Sequence, residues 1–249
     1  MKMITLLLCI AGFLPFTACS EESVPETPII DMPSDTIPTK DTTMTNPQPD
    51  TIYYLALGDS YTIGESVKTE ERYPVQLAAK LRKEGVPVAD PKIIARTGWT
   101  TRQLKQAIES ESATLREEYD LVSLLIGVNN QYQGVNIDIY KTEFRELLKK
   151  AIELAGGNNR HVFVISIPDY AYTPFGRNSS TISRQIDEYN AINLSITAEY
   201  NVSYFDITPI SRKGLEQPDL VASDGLHPSG KMYTQWVELT FPDVLSKVK

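Results

Sequence analysis

The apolar run at residues 52–57 leads directly into Gly58-Asp59-Ser60. A strand that ends this way delivers a hydroxyl to the carboxyl edge of a sheet, where open α/β folds gather their ligand sites. A serine hydroxyl acts as a nucleophile only when a base takes its proton and donors meet the charge on the attacked carbonyl. Alone, Gly-Asp-Ser also reads as a turn and helix cap, because Asp and Ser serve well in both.

The chain has two histidines from which to draw the base. His161 opens the run His161-Val162-Phe163-Val164, at the amino end of a strand, and reads as structural. His227 lies in Asp224-Gly225-Leu226-His227-Pro228-Ser229, between a polar loop and a final helix. With Asp224 three residues earlier, a tight turn lets the carboxylate accept the imidazole Nδ1–H and leaves Nε2 for a serine. The segment also reads as a helix-entry loop with Pro228 near the first turn, and the two readings are compatible. Donors are available in Arg96-Thr97-Gly98-Trp99, where Gly98 lets its backbone N–H approach a ligand, and in Gly127-Val128-Asn129-Asn130. Singly, each of these is an ordinary turn.

Positioning these groups falls to an alternating pattern. Strand-like runs at 52–57, 92–95, 121–126, 162–167 and 202–207 alternate with helix-period segments at about 72–84, 101–116, 138–155 and 181–200, and another follows at 229–239. Tyr73, Leu77 and Leu81 share one helix face; Phe144, Leu147, Leu148, Ala151 and Ile152 form a second stripe, which ends at Gly156-Gly157. Strands such as 121–126 are apolar throughout, as parallel strands covered on both faces are. The expected fold is α/β: a three-layer α/β/α sandwich around a five-stranded parallel sheet with right-handed, flavodoxin-like crossovers.

Gly58-Asp59-Ser60 with Gly64, then Gly98, Gly127-Val128-Asn129, and Asp224 to His227 together resemble the SGNH, or GDSL-type, hydrolase superfamily, over nearly all of 51–249. The resemblance implies that Ser60 is the nucleophile and His227 the base, oriented by Asp224. It implies an oxyanion hole made of the Ser60 and Gly98 N–H groups and the Asn129 side chain. Asn130 departs from the family, which often has aspartate there.

Other chemistries find less support. Thr62 stands where a Gly-x-Ser-x-Gly elbow needs glycine, and no phosphate-binding Gly-x-x-x-x-Gly-Lys motif occurs. With one candidate catalytic histidine and no free cysteine pair, no metal and no organic cofactor are expected. The formal net charge is −8, and residues 20–50 carry seven acidic residues against Lys40 alone, so the rest is close to balance. No basic face suggests nucleic acid as a partner. Tyr61, Trp99, Tyr132, Tyr170, Tyr172 and Phe175 fall at or just beyond strand ends, where they would either line a pocket or pack under loops. The loop 168–176 is expected to select substrate.

Before residue 51 the chain reads differently. Met1-Lys2 and the apolar stretch 4–16 form a secretory signal, too short for a comfortable membrane span. Phe16-Thr17-Ala18-Cys19 resembles the lipobox of bacterial lipoproteins, with Phe16 in place of the usual leucine. It implies removal of 1–19 up to an acylated Cys19. Residues 20–50, with six prolines, six threonines and no aromatic residue, read as a disordered acidic tether. Ser20-Glu21-Glu22 resembles a Bacteroidetes surface-export signal and reads equally as solvated linker.

The expectation is an exported serine esterase or acylhydrolase, lysophospholipase-like, anchored to a bacterial membrane through its N-terminal lipid alone. It would cleave acyl esters of small molecules, lipids or glycans. Two alternatives differ in class: a non-catalytic glycan-binding surface lipoprotein on the same scaffold, and a flavodoxin-like phosphate or nucleotide binder.

Overall fold

A computed structural model describes residues 50–249. The expectations for the leader, Cys19 and nearly all of the tether fall on residues 1–49, outside the described residues.

The chain runs β1 (Tyr54–Asp59), α1 (Ser60–Ile63), α2 (Tyr73–Lys83), β2 (Lys92–Arg96), α3 (Thr101–Glu111) and β3 (Leu121–Leu125). It continues through α4 (Val128–Tyr132), α5 (Ile137–Leu154), β4 (Val162–Ile165), α6 (Ser180–Glu199), β5 (Ser203–Phe205), α7 (Thr208–Ser211) and α8 (Gly230–Val248). All five strands are parallel, in the order β2-β1-β3-β4-β5. Helices α2 and α8 pack together, and α3, α5 and α6 pack in series, making the two outer layers of the expected sandwich.

Every residue of β1 and β3 is buried, which is why both are mostly apolar, with only Asp59 at the end of β1 and Ser123 in the middle of β3 polar. Fully burying one of their leucines contributes about 1.5–3 kcal/mol. The core also takes in Tyr54 and Tyr73, whose hydroxyls lie 2.8 and 3.1 Å from Ser123 Oγ, so neither buried phenol is left without a partner.

Strands β4 and β5 are two and three residues shorter than the sequence expectation, and two helix ends differ more. Helix α3 ends at Glu111 and gives way to a 3₁₀ turn at Ser112–Thr114, because little apolar surface follows Ile108 to hold further turns. Helix α8 runs nine residues past the expected end, through Pro242. Proline removes one backbone hydrogen bond, but burial of Val244 one half-turn later carries the helix on.

The strand order creates the site. The chain passes from β1 to β2 on one side, then returns to place β3 on the other side of β1. The loops that leave β1 and β3 therefore diverge, and a crevice opens at their carboxyl ends. Register makes the three ends level, since Gly58 pairs with both Ala95 and Leu125.

Candidate active site

Ser60 opens α1 directly after β1, and Asp59 caps that helix by accepting from the Tyr61 N–H at 3.0 Å. The cap and the chemical reading of Gly-Asp-Ser thus hold together. Ser60 is buried, but its side chain lines a cleft of about 310 Å³, and Oγ has no hydrogen-bond partner among the described residues.

Gly98 reaches the same cleft from the turn after β2. Its φ of +81° is one that L side chains rarely adopt, and its N–H has no partner among the described residues. After β3 comes Gly127, with φ +134°; a Cβ there would stand 2.6 Å from the Tyr140 hydroxyl. That sharp exit brings Asn129 of α4 to the cleft wall. Its Nδ2 donates to the Trp99 carbonyl at 3.1 Å and, at a longer 3.4 Å, to Asp59 Oδ2.

Asn130 faces away. It accepts from the Thr101 N–H at 3.0 Å and donates to the Thr101 hydroxyl at 2.7 Å, so it pins the start of α3. An amide does both jobs at once, which a carboxylate cannot.

The fourth contribution comes from the loop before α8. An antiparallel bridge pairs Val221 with Pro228, and the Ala222 N–H donates to the His227 carbonyl at 2.8 Å, closing a tight turn. Within it Asp224 Oδ2 lies 2.6 Å from His227 Nδ1, while Oδ1 accepts the N–H groups of Leu226 and His227 at 2.9 and 3.0 Å. The His227 ring packs against Tyr61 at 5.1 Å between centroids and lines the same cleft as Gly98 and Asn129. No hydrogen bond joins Ser60 Oγ to His227 among the described residues; free enzymes often show such loose geometry. His161 sits in the 3₁₀ turn that enters β4, at the other end of the sheet.

Two carboxyls differ sharply. Burial would raise Asp224, but hydrogen bonds from Ser66, His227 and the two backbone N–H groups outweigh it and hold the group at about 2. Burial pushes Asp59 up to about 7, against opposing hydrogen bonds from Tyr61 N–H and Asn129.

The remaining wall is apolar. Tyr132, Tyr170 and Phe175 stand with ring centroids 6.1–6.4 Å apart, beside Val128 and Leu226. Of the six aromatic candidates, Tyr61, Tyr132, Tyr170 and Phe175 line the cleft, whereas Trp99 packs against the core and Tyr172 lies elsewhere. Loop 168–176 therefore supplies two of the lining rings. Its Phe175 N–H donates to the Gly225 carbonyl at 2.9 Å, fastening it to the histidine turn. Among the described residues no group of three or more His, Cys, Asp or Glu side chains is placed to hold a metal ion.

Sequence reasoning missed Ser66, whose hydroxyl donates to Asp224 Oδ2 at 2.6 Å, and gave Asp59 no part beyond the cap. Neither is visible from spacing, because Ser66 meets its partner across 158 positions.

A parallel sheet of this order, with such a cleft at its switch point, is the architecture of the SGNH ester hydrolases. The chain belongs to the GDSL-like lipase/acylhydrolase family, whose model matches residues 56–235. It is accordingly a serine ester hydrolase. Solved structures of similar fold include TesA (18% identity, TM-score 0.62, covering 80% of this chain and 99% of that one). Another is the lipase/acylhydrolase from Enterococcus faecalis (23%, 0.61, 80% and 97%). A third is Axe2, an acetylxylan esterase from Geobacillus stearothermophilus (21%, 0.59, 79% and 95%). No curated protein sequence matches significantly.

Proposed function

We propose that Ser60 is the nucleophile, His227 the general base and Asp224 its orienting carboxylate, in hydrolysis of small acylated lipids or glycans through an acyl-enzyme. The observation that carries this is that His227, paired with Asp224, lines the same cleft as a serine hydroxyl that has no hydrogen-bond partner among the described residues. As Oγ attacks the ester carbonyl, its proton passes to Nε2, and Asp224 stabilises the imidazolium that forms. The carbonyl oxygen becomes an oxyanion and takes hydrogen bonds from the N–H groups of Ser60 and Gly98. The Nδ2 hydrogen of Asn129 that now makes only the long contact to Asp59 supplies the third. The alcohol leaves with the proton from His227, and water, deprotonated by the same imidazole, releases the acid.

A cleft of about 310 Å³ supports a short acyl group over a long chain. The half-exposed rings of Tyr132 and Phe175 at its mouth suit an apolar or sugar-bearing alcohol portion. The likeness to Axe2, an acetylxylan esterase, supports the same choice. The leader and the residues around Cys19 support export and lipid anchoring of this enzyme to a bacterial membrane. Ser60→Ala is the direct test. Hydrolysis of p-nitrophenyl acetate should fall by about 10⁴-fold or more, and labelling by a fluorophosphonate probe should vanish, with the circular dichroism spectrum unchanged. Retained turnover overturns the assignment.

A further inference from the structure

The turn that follows α1 touches the active site at a point the mechanism leaves unused. Gly64 ends the helix in the left-handed region, and Ser66 adopts φ +64°, uncommon for a residue with a Cβ. From there its hydroxyl donates to Asp224 Oδ2 at 2.6 Å, the same oxygen that faces His227 Nδ1. Of the four donors around the Asp224 carboxylate among the described residues, three belong to its own turn, and Ser66 comes from another part of the chain. The neighbouring Glu65 accepts from the Thr97 hydroxyl, so one short turn is tied both to the histidine loop and to the Gly98 loop.

We propose that Ser66 is a positioning residue for the Asp224–His227 pair: its hydroxyl fixes the plane of the carboxylate and draws off part of its charge. The proposal rests on the catalytic roles assigned above. Oδ1 is held by two backbone N–H groups, so rotation about the last side-chain bond is checked on the Oδ2 side, among the described residues, by Ser66 and the imidazole. Without the hydroxyl the carboxylate pivots, and the Nε2 lone pair spends less time aimed at Ser60. The carboxylate would also keep more negative charge opposite the ring, which favours imidazolium. The other titratable groups around the pair are Tyr61 and Tyr233, both held well above 10 by burial, and the buried Asp59.

Ser66→Gly separates this role from a structural one, because glycine removes the hydroxyl and at the same time relieves the positive φ. A merely structural serine predicts equal or greater stability and unchanged kinetics. Positioning predicts a kcat lower by about tenfold, the size of one hydrogen bond to a charged group, with KM little changed. It also predicts an acid limb of the kcat profile displaced toward higher pH. Ser66→Asn, which tolerates this φ and keeps a donor, should recover part of the loss. Wild-type kcat and an unmoved acid limb in Ser66→Gly overturn the proposal, as does a loss fully accounted for by the unfolded fraction. Active-site titration with a fluorophosphonate, run on the same samples, distinguishes the two levels. A wild-type protein that does not label at Ser60 overturns the catalytic assignment and this proposal together, whereas normal labelling with unaltered Ser66→Gly kinetics overturns this proposal alone.

Discussion

Replacing Asp59 with asparagine should make the protein more stable in alkaline buffer and slower as an enzyme. Asp59 is fully buried, and its carboxyl rises from an ordinary 3.8 to about 7. The folded chain thus holds this proton more tightly than the unfolded chain, so folding is favoured by low pH. Below 3.8 the group costs nothing. From there upward the unfolded chain releases its proton while the folded one keeps it, and stability falls until about pH 7, then levels off. Between pH 5 and pH 8.5 the decline covers two pH units at about 1.4 kcal/mol each, or about 3 kcal/mol. Asparagine does not titrate, so its curve lacks this component.

Urea unfolding of both proteins at pH 5 and pH 8.5, followed by tryptophan fluorescence, yields the double difference. Hydrogen bonds altered by the substitution, and every other titrating group, cancel from it. Wild type should lose about 3 kcal/mol relative to Asp59→Asn between the two pH values. Parallel curves would refute the burial account of this carboxyl. The kinetic cost has a separate origin: an asparagine that keeps its bond to the Tyr61 N–H turns an amide toward Asn129 Nδ2, so two donors face each other where a donor met an acceptor. Asn129 would be displaced, and hydrolysis should slow at every pH.

Asn129→Ala should lower kcat on p-nitrophenyl acetate by about 10²–10³-fold, as loss of one oxyanion donor does, with little change in KM; a loss below about fivefold would remove Asn129 from that role. Gly127→Ala combines a φ of +134° with a Cβ 2.6 Å from the Tyr140 hydroxyl. It should cost about 3 kcal/mol or more in denaturant unfolding, and an unchanged midpoint would mean that the exit from β3 tolerates a side chain.

How much was legible in the sequence depended on what makes each feature. The strands declared themselves because parallel strands buried on both faces are predominantly apolar, as residues 121–125 are apart from Ser123. His227 could be separated from His161 because they precede elements of different type, and strand starts lie at the end of the sheet opposite the ligand crevice. The four- and five-residue helices α1 and α4 left no periodic trace, being shorter than two turns. Asn130 looked like a departure from a pattern until its two bonds to Thr101 were visible, and Ser66 looked like any loop serine. Such side chains act through partners that only the tertiary fold supplies.

The four contributors to the cleft are not held in the same way. Ser60, Gly98 and Asn129 each leave a sheet strand, and the register that levels Gly58 with Ala95 and Leu125 fixes their spacing. His227 has no strand beneath it. Its turn is closed locally by the bridge between Val221 and Pro228, and its distance from the sheet is set by how α8 docks. That docking runs through buried rings: Tyr233 and Trp236 of α8 stand 6.3 and 6.2 Å from Tyr73 at the start of α2. Movement at this aromatic contact would carry the imidazole with it while leaving the other three groups in place. The Ser66 hydroxyl is one tie at the site itself, because it joins the segment that follows Ser60 to the histidine turn. A serine at the end of a sheet strand and a histidine in a turn ahead of a helix gain from such a cross-link, since neither register nor helix packing alone relates one to the other.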